Sequence, residues 1–263
     1  MEISVTRAKL LADLSNYPLC DFFLRVGVQA MSGEEVTNDL AAEPDASLLQ
    51  HFDKPKQMGG LEDLFSRTMG IFDLSKEALG VKAGFNFNVY DMDGFESVRA
   101  VFRVAIALSE VGFRQFRFLG GTGLADLGAT KNEQQWFIEV KTLVLQTKPQ
   151  EIEFGGKTQA LIVDKFQPAS RNIAEYVETV SKVIAGNHIQ KARKQLLNTV
   201  KELGAAKKMA AIALNLFAAP FFLDCENLKE VVGRLRGRRS GWEIDYLSEI
   251  DALAFLTDHL HVF

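Results

Sequence analysis

Residues 124–145 read LADLGATKNEQQWFIEVKTLVL, and this stretch contains two strand-like runs joined by a short polar turn. The second run, 136–145, is rich in the aromatic and β-branched residues that favour extended strands. The first run, 124–129, is shorter, and the polar residues 131–133 turn the chain between the two. The stretch therefore predicts a β-hairpin, and the elements on either side of it decide which kind of sheet contains it.

A helix, a strand and a glycine-rich turn precede the hairpin. Asp93 is a suitable N-cap for a helix over 95–111, in which apolar residues recur at helical spacing, and Gly112 ends that helix. A short strand over 116–119 follows. The glycines at 120–123 then predict a tight turn that leads into the hairpin.

Helical patterns resume after the hairpin. They predict helices over 172–184 and 188–203, and Gly204 ends the second of these. Residues 209–217 form an apolar run with a single polar residue, which is typical of an internal strand covered on both faces. This order of helix, strands, helices and strand predicts an α/β fold with a mixed central sheet flanked by helices.

Three regions follow from this order of elements. Residues 93–220 are expected to form the α/β core, and 221–263 a C-terminal extension packed on it. Residues 1–92 predict a mostly helical N-terminal region, with an irregular connection over 38–60 where prolines, acidic residues and a Gly-Gly pair occur. A specificity element, a dimerisation element and a lid stay open as roles for that region.

Composition and charge restrict where the protein works. The 263 residues are 47% hydrophobic and 24% charged, which is ordinary for a globular protein. The net charge of −4 argues against a protein that merely coats nucleic acid, because such proteins are strongly basic. Cys20 and Cys225 match no zinc or redox spacing and predict reduced thiols. The N-terminus shows no secretion signal, and the longest apolar run, 209–223, is too short and interrupted to span a bilayer. We therefore expect a cytoplasmic protein that does not enter the membrane.

Glu139 and Lys141 carry the strongest chemical signal in the sequence. Alternate side chains of a strand point to the same face, so these two share one face while Ile138 and Val140 share the other. Two charges within an apolar strand cost stability unless they are paired or coordinated. A hairpin would bring Asp126 alongside Glu139, and two close carboxylates suit Mg²⁺. A structural ion pair between Glu139 and Lys141 explains the same pattern without a metal.

At Asp126, Glu139 and Lys141 the sequence resembles the PD-(D/E)XK nuclease superfamily. The resemblance implies a restriction-endonuclease-like core and a Mg²⁺-dependent nuclease for which Mn²⁺ is a possible substitute. It further implies that Asp126, Glu139 and the carbonyl of Val140 bind the metal, and that Lys141 orients or polarises the attacking water. The implied reaction is in-line hydrolysis of a phosphodiester.

The resemblance covers roughly residues 95–217, including the order of elements. Ala125 stands where the name of the superfamily has Pro, which is a departure from the motif. The same likeness suggests Glu96, at the start of the helix before the sheet, and Gln195, on the later helix, as further catalytic residues. Glu110, at the other end of the first helix, competes with Glu96 for that role.

The implied partner is nucleic acid, with DNA as the expected substrate in restriction, repair or defence against foreign DNA. Two basic stretches are candidates for contact with its phosphates. The first consists of Lys191, Arg193, Lys194 and Lys201, and the second of Arg234, Arg236, Arg238 and Arg239. A two-fold homodimer would suit cutting of both strands of a duplex. Two other interpretations stay open: a non-catalytic nucleic-acid- or protein-binding member of the same fold, and an unrelated α/β protein with a structural ion pair.

Overall fold

The structure of the chain is a computed structural model. It describes residues 2–30, 35–39, 55–84, 92–143, 150–154, 157–161, 173–214, 224–239, 241–242, 244–257 and 259–263. The chain divides into two compact units, Met1–Ser109 and Glu110–Phe263. The region boundaries that the sequence suggests near residues 92 and 220 stay predictions.

The N-terminal unit contains helices and one pair of antiparallel strands. Its elements are β1 (Glu2–Thr6), α1 (Arg7–Leu14), α2 (Pro18–Ala30), β2 (Glu35–Asp39), α3 (Pro55–Phe72), α4 (Lys76–Lys82) and α5 (Met92–Glu110), whose last residue begins the second unit. The carboxylate of Glu62 on α3 accepts hydrogen bonds of 2.9 Å from the backbone N–H groups of Leu19 and Cys20. These amides lie in the first turn of α2, where a helix supplies no acceptor of its own, so Glu62 joins α3 to α2.

Two expectations for this unit need correction. The predicted irregular connection over 38–60 is wrong at its C-terminal end, because α3 already begins at Pro55. Proline is favourable at the first position of a helix, where its missing N–H is not needed. Residues 40–54 lie outside the described part of the chain. The strands β1 and β2, paired with Ile3 opposite Asn38, were not predicted from the sequence.

The C-terminal unit is built on a six-stranded mixed sheet among the described residues. Its strands are β3 (Arg114–Phe118), β4 (Leu127–Lys131), β5 (Gln134–Leu143), β8 (Lys207–Leu214), β9 (Ala252–Leu256) and β10 (Leu260–Val262), and β6 (Gln150–Phe154) and β7 (Lys157–Leu161) form a separate hairpin. The spatial order is β10-β9-β8-β5-β4-β3. Strands β5, β8 and β9 run parallel to one another, and the remaining pairs are antiparallel.

The predicted hairpin is present as β4 and β5. Asn132 and Glu133 join the strands with φ of 50° and 64°, which are the left-handed conformations of a two-residue type I′ turn. Strand β4 begins at Leu127, three residues later than predicted. The reason is that two backbone N–H groups before Leu127 bond elsewhere. That of Leu124 donates to the carbonyl of Gly121 in a turn, and that of Ala125 donates to a side chain of a helix.

One continuous helical segment precedes β8. It consists of α6 (Ile173–Val183), a π-helical turn (Ile184–Ile189) and α7 (Gln190–Leu203), and α8 (Cys225–Leu235) follows β8 in the chain. The prediction of two separate helices is wrong, because the wide π turn accommodates Gly186 and Asn187 without ending the helix. Gly204, with φ of 98°, ends α7 as predicted.

Strand β8 confirms the prediction of an internal strand for its described residues. It lies between β5 and β9, and Met209–Leu214 are buried along their whole length. Residues 215–217 of the predicted strand lie outside the described part of the chain. The chain therefore belongs to the mixed α/β class, as expected. Within the described ranges, no helix combines the length and the apolar character needed to cross a bilayer.

Candidate active site

Asp126 lies immediately before β4 and is held by a hydrogen bond with β5. One oxygen of its carboxylate, Oδ2, accepts a hydrogen bond of 2.8 Å from the backbone N–H of Val140. Strand β4 begins at Leu127, opposite Ile138, so Val140 lies beyond the end of the ladder and its amide needs another acceptor. The N–H and C=O of one strand residue point to the same side. The carbonyl of Val140 therefore faces the same edge of β5 as its amide, which is the edge where Asp126 lies.

Glu139 is a buried carboxylate with one paired and one unpaired oxygen. Its side chain is 1% exposed, and Oε1 forms an ion pair with the ammonium of Lys141. Oε2 is buried and has no hydrogen-bond partner in the described part of the structure. Burial and, to a smaller extent, the negative charge of Asp126 raise the pKa of Glu139 to about 8 against the opposing effect of Lys141. Burial also raises the pKa of Asp126.

Gln195 on α7 completes the surroundings of Lys141. The ammonium of Lys141 donates to Gln195 Oε1 at 2.8 Å, in addition to its ion pair with Glu139. The amide nitrogen of Gln195 donates to the carbonyl of Leu124 at 3.3 Å, two residues before Asp126. The structure thus brings together Asp126, Glu139, Lys141 and Gln195, four of the five side chains suggested as catalytic from the sequence.

A further residue, Thr199, lies one helical turn after Gln195. Its side chain is fully buried, its Oγ1 accepts from the backbone N–H of Ala125 at 2.7 Å, and it donates to the carbonyl of Gln195 at 2.8 Å. Buried apolar contacts among Ala125, Phe137 and Leu196 lie beside these bonds. The sequence did not single out Thr199, although its spacing of four residues from Gln195 places both on one helical face.

His188 lies in the π-helical turn that precedes α7. Its Nε2 is buried and has no hydrogen-bond partner among the described residues. Burial and, to a smaller extent, the positive charges of Lys141 and Lys191 lower the pKa of His188 to about 4. His188 is therefore neutral at physiological pH. π-helical turns occur frequently at functional sites, and this signal cannot be read from the sequence.

Glu96, the fifth suggested catalytic residue, belongs to the N-terminal unit. It is 6% exposed and forms an ion pair of 3.2 Å with Arg99 on the same helix. Burial raises the pKa of Glu96, whereas Arg99 and Arg103 lower it. Its competitor Glu110 is exposed at the end of α5. A catalytic contribution of Glu96 stays a prediction.

The two basic stretches differ in how far carboxylates neutralise them. On α8 and just after it, Arg234 forms ion pairs with Glu178 and Glu230, and Arg239 pairs with Glu230. On α7, Arg193 pairs with Glu249.

Three exposed lysines of α7, by contrast, make no ion pair within the described residues. They are Lys191, Lys194 and Lys201, and we call them the α7 lysines. Arg236 and Arg238 are likewise without an ion pair there. Free positive charge is therefore greatest on the exposed side of α7, the helix that also carries Gln195.

The donor atoms at this site are of the chemical type that hard divalent cations bind. The carboxylates of Asp126 and Glu139 and the carbonyl of Val140 all supply oxygen atoms, and Glu139 Oε2 has no hydrogen-bond partner among the residues that the structure describes. Mg²⁺ is commonly held by one or two carboxylates while it keeps several waters, so a pair is sufficient. Among the described residues, no cluster of three or more His, Cys, Asp or Glu side chains is placed to hold a metal ion. A metal here would therefore depend on the pair, the carbonyl and water.

Comparisons of the chain with protein-family models, with curated proteins and with solved structures find no match. What the site can do is therefore inferred from its own residues and distances.

Proposed function

We propose that this chain is a Mg²⁺-dependent nuclease with a restriction-endonuclease-like core, similar to the PD-(D/E)XK superfamily, and that it hydrolyses phosphodiester bonds in DNA. The observation that carries the proposal is the buried group of Asp126, Glu139 and Lys141. The two carboxylates can hold a cation when both are ionised, because the single ammonium of Lys141 then leaves one negative charge unbalanced, and Glu139 Oε2 has no hydrogen-bond partner among the described residues.

Each residue of the group has a distinct part in the proposed reaction. Asp126, Glu139 and the carbonyl of Val140 would hold Mg²⁺, for which Mn²⁺ is a possible substitute. A bound Mg²⁺ supplies positive charge that stabilises the charge developing on the phosphoryl oxygens. Lys141 donates a hydrogen bond that orients the attacking water, and Gln195 fixes the direction of the ammonium through its bond of 2.8 Å. Water adds to phosphorus, the bond to the leaving oxygen breaks, and the proton released by water neutralises that oxygen.

The proposed substrate follows from the charge beside the site. The α7 lysines offer positive charge that carboxylates of the described residues do not neutralise, next to the helix face that carries Gln195. Lysine side chains commonly contact the phosphate backbone without reading the base sequence. The acidic net charge of the whole chain is compatible with such a local surface. Action on DNA from a cytoplasmic location, in restriction, repair or defence, belongs to the same proposal, as does a two-fold homodimer for cutting both strands.

A second candidate is a non-catalytic nucleic-acid- or protein-binding protein of the same fold. It is favoured by the ion pair between Lys141 and Glu139, which already partly neutralises the site. A carboxyl whose pKa is about 8 also takes up a proton readily at neutral pH. Such a site would be stable without a metal and would need no reaction to explain it.

Cleavage assays with two site variants separate these candidates. Wild-type protein should cut DNA with Mg²⁺ or Mn²⁺. Lys141→Ala should abolish cleavage yet bind the metal, because both carboxylates remain, whereas Glu139→Ala should lose cleavage and metal binding together. Isothermal titration calorimetry measures the binding, and circular dichroism with a thermal melt checks the fold of each variant.

Lys182→Ala provides a matched control for the lysine variant. The side chain of Lys182 is 24% exposed and ion-paired with Glu178, compared with 21% for Lys141. This control should cut DNA like the wild type. If wild-type protein cuts no DNA or RNA with either metal, the binding protein becomes the better candidate. If Lys141→Ala keeps full activity in a protein that cuts, the catalytic group lies elsewhere.

A further inference from the structure

The hydroxyl of Thr199 joins two parts of the site that come from distant segments of the chain. Oγ1 accepts from the N–H of Ala125, 74 residues away in sequence, at 2.7 Å and donates to the carbonyl of Gln195 at 2.8 Å. Ala125 immediately precedes Asp126, and Gln195 holds the ammonium of Lys141. One buried oxygen atom therefore connects the backbone that carries a carboxylate of the site with the helix that directs its lysine.

These contacts close into a ring. From Thr199 it runs through Ala125 to Asp126, whose carboxylate accepts from Val140. Lys141, the next residue of β5, continues through Gln195 back to Thr199. A second hydrogen bond joins α7 to the segment before β4, from Gln195 to the carbonyl of Leu124. At 3.3 Å it is the longest of these hydrogen bonds.

Among the described strands, the N–H of Ala125 has no backbone acceptor, because β4 begins two residues later. The Thr199 hydroxyl is the acceptor that satisfies this backbone N–H. By holding Ala125, it also fixes the position of the Asp126 backbone. Removal of a group that hydrogen-bonds to the residues of a metal site commonly reduces metal affinity or activity by about 10–100-fold.

We propose that Thr199 is a positioning residue: its hydroxyl sets the distance between the Asp126 backbone and α7, and thereby the geometry of the group Asp126, Glu139, Lys141 and Gln195. The proposal rests on the proposed function for its catalytic consequence but not for its geometric one. Among the described residues, the hydrogen bonds of Thr199 Oγ1 go to Ala125 and Gln195 rather than to the side chains of Asp126, Glu139 or Lys141, so its effect is transmitted through Ala125 and Gln195.

Three variants test the proposal. Thr199→Val removes the hydroxyl at nearly constant volume, and Thr199→Ser retains the hydroxyl. Thr68→Val is the matched control. Thr68 is also fully buried in a helix, and its Oγ1 donates to the carbonyl four residues earlier at 2.7 Å, but that bond stays within α3. Thr68→Val therefore reports the cost of losing a buried helical threonine hydroxyl with no link to the site.

The first measurement is amide hydrogen exchange by NMR in metal-free protein. In Thr199→Val the amide of Ala125 should exchange about tenfold faster or more, since it loses its acceptor. The amide of Ile212 in β8 should change much less, because local opening and global unfolding are separable in this way. Thr199→Ser should retain the protection of Ala125. Equal acceleration at Ala125 and Ile212, or none at Ala125, overturns the proposal.

The second measurement is calorimetric titration with Mg²⁺, followed by DNA cleavage. Thr199→Val should raise the Kd for Mg²⁺ by about 10–100-fold and lower kcat, with the number of sites per chain unchanged. A loss of folded protein would instead lower the number of sites at constant Kd. Thr199→Ser and Thr68→Val should match the wild type. If wild-type protein binds no Mg²⁺ or does not cut, the proposed function fails, and the exchange at Ala125 still decides the role of Thr199.

Discussion

Glu139 in the C-terminal unit and Glu96 in the N-terminal unit are both buried carboxylates that pair with a cation on their own strand or helix. Each has a second oxygen without a hydrogen-bond partner in the described structure, and burial raises the pKa of each. Their surroundings differ in the balance of charge. Asp126 adds a second negative charge beside Glu139, whereas Arg99 and Arg103 both act on Glu96 as positive charges.

This difference shows why burial and pairing alone do not mark a site for a cation. Two carboxylates around one ammonium leave negative charge that a divalent metal can balance. One carboxylate near two guanidinium groups has no such deficit, and added positive charge there would be repelled. Three measurements test this contrast.

The largest expected difference is in Mg²⁺ binding and cleavage after Glu139→Gln and Glu96→Gln. Glu139→Gln should lower kcat/KM by roughly 10³-fold, since a metal contributes several kcal/mol to stabilising the developing charge. The fold-change in Mg²⁺ affinity caused by Glu96→Gln should be at least about tenfold smaller than that caused by Glu139→Gln. Glu96→Gln should instead lower the free energy of unfolding by about 1–3 kcal/mol, because Arg99 loses an anionic partner. Comparable loss of Mg²⁺ affinity in both would instead support the prediction that Glu96 helps to orient the metal.

The second difference is in the pH dependence of stability without metal. The pKa of Glu139 is about 8 in the folded protein and 4.5 ordinarily, so folding favours its protonated form. Its contribution to stability is complete below pH 4.5 and is lost as the pH rises through 8. Wild-type protein in EDTA should lose up to about 1.4 kcal/mol per pH unit from this group. Glu139→Gln should lose less over the same range.

The pKa of His188 shifts in the opposite direction on folding. This shift limits the pH range over which the effect of Glu139 can be measured. The pKa of His188 falls from 6.5 to about 4 on folding, so its contribution is present above pH 6.5 and is lost as the pH falls through 4. Denaturant unfolding between pH 6.5 and 8 therefore isolates Glu139 from His188. Equal pH dependence in wild-type protein and Glu139→Gln would contradict the raised pKa.

The smallest expected effects concern DNA affinity. The basic surfaces of α7 and α8 differ, as the two glutamates do, in how far nearby opposite charges neutralise them. Lys191→Ala and Lys194→Ala should each reduce the slope of log affinity against log salt by about 1. Arg239→Ala should reduce it less, because Glu230 already neutralises Arg239 at 2.6 Å. Fluorescence anisotropy with a DNA duplex in EDTA measures binding without cleavage. Equal changes for all three variants would show that the ion pair between Arg239 and Glu230 opens when DNA binds.

Local sequence patterns were sufficient to predict features that depend on the residues of a single strand or turn. The period of two in a strand placed Glu139 and Lys141 on one face, and the structure shows their side chains in contact. The apolar run over 209–217 predicted an internal strand, because an exposed strand of that composition would invite aggregation, and the described part of this run lies in β8. The turn at Asn132 and Glu133 lies within the stretch of residues that signalled it.

Features that depend on distant residues could not be read in this way. The late start of β4 depends on Thr199, which bonds to Ala125 across 74 residues. The burial of Glu96 was not visible either, since a carboxylate in the first turns of a helix is ordinarily solvated. The apparent break at Gly186 was misread because a π turn has no reliable local sequence signal.

That π turn has a consequence for how the chain can change over evolutionary time. A π turn contains an extra residue compared with an α-helical turn, and one residue of an α-helix corresponds to a rotation of about 100°. The wide turn absorbs this extra residue, so α7 keeps the rotation about its axis that a continuous α-helix would give it, whereas the same insertion in a strictly α-helical turn would rotate α7 by about 100° relative to α6. Gln195 and Thr199 therefore face β5 together in spite of the extra residue. Deletion of one codon between Ile184 and Ile189 should leave an α-helical turn with both side chains on the same face, and homologous chains are expected to tolerate that loss more readily than a further insertion.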